Sequence, residues 1–158
     1  MDHRAHATPT GSRRSLNRTA FSATVHCLTG CAIGEVLGMM VGTALGLGTW
    51  TTVVLSVVLA FVFGYSLTML PLFRAGLALK TAATLAFASD TASIALMEVV
   101  DNLIMIYIPG AMESGPGTGL FWASLVASLV IAGAVAFPLN RWLIGRGMGH
   151  AVLHAHHH

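Results

Sequence analysis

The sequence predicts an all-α protein, a four-helix transmembrane bundle with both termini on the cytoplasmic side. Three observations carry that prediction. Of 158 residues, 55% are hydrophobic and only 9% charged, with a mean hydropathy of +0.77, whereas about a quarter of the residues of a soluble domain are charged. No charged side chain interrupts residues 36–73 or 120–140. One helical crossing takes about 20 apolar residues, so the first run holds more than one. All Lys and Arg fall in three places: Arg4, Arg13, Arg14 and Arg18, then Arg74 and Lys80, then Arg141 and Arg146. Positive charge is retained in cytoplasmic segments, and four crossings with both ends inside put every one of these on the same side.

The first helix is expected over about residues 22–47, ending in Gly46, Leu47 and Gly48, which suit a tight turn. The second follows over about residues 50–70 and is expected to stop at Pro71. Residues 75–108 are compatible with helix for longer than one span. The buried part of the third helix is placed at about residues 84–108, with Lys80 able to snorkel from its first turns. Gly115, Pro116 and Gly117 mark a loop. The fourth helix covers about residues 120–143, with Trp122 and Trp142 near its ends, where indoles favour the interface, and with Pro138 placed to kink its last turns.

The organisation expected is a polar, basic cytoplasmic segment at residues 1–21, a membrane domain at 22–147 and a His-rich cytoplasmic tail at 148–158. A cleaved secretory signal is not expected. The apolar stretch of residues 25–47 is too long and carries His26, Cys27, Cys31 and Glu35. The two cysteines, four apart on a helix, are poorly placed to pair, so free thiols are expected.

Along the first helix two rows run side by side with a spacing of four. One is His26, Gly30, Gly34, Gly38 and Gly42; the other is Cys27, Cys31, Glu35, Met39 and Thr43. Such rows stay neighbours at 3.6 residues per turn. Glycine at every fourth position lets another helix approach closely, so the polar row is expected at a helix contact. Thiolate and thioether favour Cu(I), while thiolate, imidazole and carboxylate together suit Zn or Fe. A cysteine alone is better explained as a small buried residue, and Met39 can be core filler. Glu35 points the other way, since an ionisable residue inside a membrane is costly and marks function.

The third helix carries Asp90, Ile94, Met97, Glu98, Asp101 and Met105 on one arc of about 100°. With the cytoplasmic surface taken near Thr24 and Thr84, helical rise puts Asp90 about 9 Å deep, Glu35 about 16 Å, Glu98 about 21 Å and Asp101 about 25 Å. Such a ladder spans most of the bilayer. Acids that merely hydrogen-bond to Ser89, Thr91 and Ser93 would account for some of it.

At His26-Cys27-Leu28-Thr29-Gly30-Cys31-Ala32-Ile33-Gly34-Glu35 the chain resembles an uncharacterised family of small bacterial and archaeal membrane proteins, catalogued as a domain of unknown function. The likeness extends from about Phe21 to the His-rich end and includes the acidic stretch of residues 90–101. It implies a four-helix membrane protein and brings no activity, substrate or fixed site residues with it.

The functional reading is therefore built on the site. An intramembrane transition-metal site or pathway is expected between helices one and three, with His26, Cys27, Cys31, Glu35, Asp90 and Glu98 as ligands and Met39, Met97 and Asp101 further along. Cu(I), Zn or Fe would be the metal. His150, His154, His156, His157 and His158 would collect it. A proton or cation channel using the carboxylate ladder and a structural or regulatory subunit are the alternatives. No catalytic triad, phosphate loop or dinucleotide fingerprint is present in the sequence, and no enzyme is expected. The partners expected are membrane lipid and a metal ion or proton, with no nucleic acid; a homo-oligomer sharing the site would suit so narrow a bundle. The expected location is a prokaryotic cytoplasmic (inner) membrane, crossed several times.

Overall fold

The computed structural model describes residues 9–74 and 76–146. They form four helices, α1 (Pro9–Ala44), α2 (Thr49–Arg74), α3 (Leu79–Tyr107) and α4 (Gly119–Gly145), with no strand among the described residues. All four are long and apolar enough to cross a membrane, as the charge-free runs predict. The His-rich tail expected to collect metal lies outside the described residues.

Glycine punctuation closes the first two helices in the same way. Gly46 and Gly76 take φ of +63° and +82°, the left-handed region that favours glycine. Leu47 N donates to Gly42 O at 2.9 Å and Gly46 N to Thr43 O at 3.2 Å; Leu77 N donates to Leu72 O at 3.1 Å and Gly76 N to Phe73 O at 2.9 Å. Both are Schellman closures, which occupy carbonyls that a helix end otherwise leaves open. Thr118 caps α4 by accepting from Phe121 N at 3.3 Å.

Two boundaries differ from expectation. α1 begins at Pro9 rather than near Ser22, because Leu16, Ala20 and Ala23 form a stripe that packs against Phe137 and Ile144 of α4. At about 1.5 Å per residue its 36 residues reach about 54 Å, so its first turns stand outside a hydrocarbon core of about 30 Å. α2 continues past Pro71 to Arg74. A proline this close to a helix end forfeits one backbone bond, and its exposed position leaves the orphaned carbonyl free to find another partner.

The helices alternate in direction, as their contacts show. Gly30, Gly34, Gly38 and Gly42 of α1 meet Gly64, Ala60, Ser56 and Thr52 of α2 in turn, each step of four along one helix answered by a step of four back along the other. A Cβ on Gly30 would lie 2.7 Å from Cα of Gly64, and one on Gly34 would overlap the backbone of Ala60. Between α1 and α4, Asn140 Nδ2 donates to Thr24 Oγ1 at 2.9 Å and Arg141 Nε to Asn17 Oδ1 at 2.7 Å. Tyr65 and Thr91 join α2 to α3, their hydroxyls 2.8 Å apart.

With the backbones so close, the core is built of small side chains. Cys27, Cys31, Ala60, Ala132 and Ala136 surround the bulkier Ile94 and Met97, and Gly64 leaves the room that Ile94 fills. Large apolar side chains point outward instead: Val54, Val58 and Val62 of α2 and Val126 and Val130 of α4 are all more than half exposed. Between helices in lipid, packing rather than the hydrophobic effect drives association. The outward valines and inward glycines are what that rule requires.

Candidate functional site

The row of small polar residues on α1 faces α3. Cys27 and Cys31 are both free thiols, each 2% exposed, and they share one buried cluster with Ile94 and Met97 of α3. The Cys31 thiol lies against the Glu98 carboxylate. Cys27, one turn nearer the N-terminal end of α1, adjoins Ser93 and Asp90. Helical spacing explains the pairing: α1 and α3 run in the same direction, and each step of four along α1 is met by a step of three to five along α3, from Asp90 and Ser93 to Glu98 and Asp101.

The three acids nearest mid-bundle form a group of their own. Glu35 lies against Asp101, Glu98 is their neighbour, and Ser128 of α4 adjoins Asp101. Asp101 is 3% exposed and Glu98 7%; the Asp101 Oδ1 atom has no hydrogen-bond partner. Asp90, 1% exposed, sits nearer the start of α3 and accepts from Ser89 Oγ at 2.8 Å. Among the described residues every Lys and Arg lies at the end of the bundle where α1 begins, so no basic side chain accompanies Glu35, Glu98 and Asp101. Two carboxyls in contact cannot both hold a charge cheaply in a medium of low dielectric. A proton or a bound cation must sit with them.

The group is reached from the opposite end of the bundle. A vestibule of about 530 Å³ runs from the α1–α2 turn at Gly46 and the α3–α4 loop at Glu113 inward to Glu35 and Glu98. Between Gly46 and Glu35 the helix rises about 16 Å, so the cavity enters well into the span. Met39, Ser56, Asn102, Met105 and Met112 are among the residues that line it. Asn102 is held by donating Nδ2 to Glu98 O at 2.8 Å. Ser56 is 6% exposed and its Oγ has no hydrogen-bond partner.

The structure therefore brings Cys27, Cys31, Glu35, Asp90, Met97, Glu98 and Asp101 onto one α1–α3 seam, with Met39 in the vestibule above it. His26 is placed differently: its Nε2 lies 3.1 Å from Thr68 Oγ1 of α2, on the glycine side of α1. Among the described residues no three His, Cys, Asp or Glu side chains converge as one metal ion of that ligand set would need. The vestibule residues Ser56 and Met112 are additions, and spacing gives no sign of Met112. Ser56 did carry a signal, since Thr52, Ser56, Ala60, Gly64 and Thr68 form a row of four-residue steps on α2.

Residues 16–149 match the family model described as Domain of unknown function (DUF4396), and the chain belongs to that family. No curated protein matches the chain significantly, and no solved structure does.

Proposed function

We propose that this DUF4396 protein passes a cation across the cytoplasmic membrane along the α1–α3 seam. Glu35, Glu98 and Asp101 are the stations at mid-span, and Cys31, Cys27 and Asp90 continue the path toward the basic end. The observation that carries the reading is the vestibule whose inner end is formed by carboxylates from two facing helices. Acids buried in a membrane without a basic partner are costly to keep, and a passing cation supplies the missing charge. By the distribution of Lys and Arg the basic end is cytoplasmic, so the vestibule opens outward and the small-residue core around Cys27, Ile94 and Met97 closes the inner half.

Reconstitution of the full chain into liposomes tests this. Under an imposed potential, charge movement is measured with H⁺, Na⁺, K⁺, Zn²⁺ and Ag⁺ in turn. The expected result is flux above protein-free vesicles with at least one of them, lost in a chain carrying Glu35→Gln and Glu98→Gln. Equal flux from that variant, or none from the parent with any cation, would leave the acids to a packing role and overturn the proposal.

A further inference from the structure

We propose that the cation is a soft monovalent metal ion, Cu(I) or its chemical analogue Ag(I), captured by methionine thioethers at the vestibule. The inference rests on the cation-pathway reading for what happens next, while capture itself stands on the vestibule.

Three separate elements each give a methionine to the walls of the same cavity: Met39 from α1, Met105 from α3 and Met112 from the α3–α4 loop. Met39 follows Glu35 by one turn and Met105 follows Glu98 by two, so each sulfur lies on the same helix face as the carboxylate below it. Methionine commonly fills gaps in a core, but here the three border a cavity that reaches the loops. The walls also carry oxygen-bearing residues such as Thr43, Thr52, Asn102 and Glu113, the donor type that Na⁺, K⁺ or Ca²⁺ uses; the three methionines are what a path for those ions has no need of. Thioethers are soft, neutral donors that select Cu(I) over hard ions. Ser56, whose buried hydroxyl faces Gly38 and has no partner, also borders the cavity.

The soft donors do not stop at the acids. Met97 and Cys31 are buried just beyond Glu98, and Cys27 lies one turn further. From Met39 through Cys31 to Cys27 the helix rises about 18 Å, so sulfur and carboxylate alternate along much of the bilayer. A soft cation moving down the seam exchanges thioether for thiol, with carboxylates balancing its charge. A path requires ligands in succession, each weak enough to release the ion.

The test is equilibrium binding of Ag⁺, which needs no reductant, to the full chain in detergent. The parent is compared with a chain carrying Met39→Leu, Met105→Leu and Met112→Leu, which nearly conserves volume, and with a control carrying Met40→Leu and Met69→Leu away from the vestibule. Histidines are common to all three, so only differences are read, and circular dichroism confirms that each is folded. The vestibule variant is expected to bind Ag⁺ roughly tenfold or more weakly at one site, with the control unchanged. Unaltered binding in the vestibule variant overturns the thioether site. Loss of binding there supports the site even if no cation crosses liposomes, in which case it is the translocation reading that fails.

Discussion

The Cys31 thiol of α1 lies against the Glu98 carboxylate of α3. The pair exists because the glycine row draws α1 onto α2 and leaves the neighbouring row to face α3. Packing and chemistry are thus assigned to adjacent faces of one helix, and each face makes its own prediction.

Chemical access should separate vestibule from core. With 2% exposure each, Cys27 and Cys31 are expected to resist a membrane-impermeant maleimide in the folded protein and to react only after denaturation. A cysteine introduced by Thr43→Cys, at the vestibule, should react readily. Mass spectrometry of the labelled chain distinguishes the three positions. Fast labelling of the native thiols would show that the seam is open to water where the structure closes it.

The α1–α2 contact should tolerate almost no added volume. Gly34→Leu would force a side chain into the backbone of Ala60, and overpacking typically costs about 1–3 kcal/mol; a contact with backbone rather than a flexible side chain belongs at the upper end. Gly48→Ala, whose Cβ would meet nothing within 4 Å, should be neutral. Thermal unfolding in detergent checks both, and equal midpoints would contradict the close approach.

If a soft metal ion follows the sulfur donors, the inner thiols should matter to passage more than to capture. The combined Cys27→Ser and Cys31→Ser variant is expected to keep Ag⁺ binding at the vestibule while Ag⁺ flux in liposomes falls roughly tenfold, equivalent to about 1.4 kcal/mol on the barrier. Flux equal to the parent would make the thiols bystanders.

Sidedness follows from charge. A cysteine at Glu113, in the α3–α4 loop, should be labelled from outside intact cells, and one at Arg146, beyond α4, only after the membrane is opened. The reverse pattern would invert the direction assigned to the vestibule.

The bundle was legible because membrane helices announce themselves: charge-free runs of sufficient length, glycine turns at Gly46 and Gly115, and basic residues on alternate connections. The seam between Cys31 and Glu98 was legible from spacing, since both rows keep one face. Three features were harder to read. The early start of α1 depends on Leu16 and Ala20 finding Phe137 and Ile144 far along the chain, which no local pattern states. Glycine spacing says that a helix comes close without saying which; the matching row on α2 that includes Ser56 and Ala60 was the missing half. The vestibule depends on how a turn and a loop stand over the helix ends, and Met112 belongs to it only through that tertiary placement.

The central claim is that a cation meets the buried carboxylates on its way through. Glu98 and Glu113 make the sharpest comparison, because both border the vestibule and only Glu98 is buried at its inner end. Cation-driven current through liposomes reconstituted with Glu98→Gln should fall to the level of protein-free vesicles, while Glu113→Gln retains most of the parent's. If Glu98→Gln carries as much current as the parent, the carboxylates are not on the path and the account is wrong.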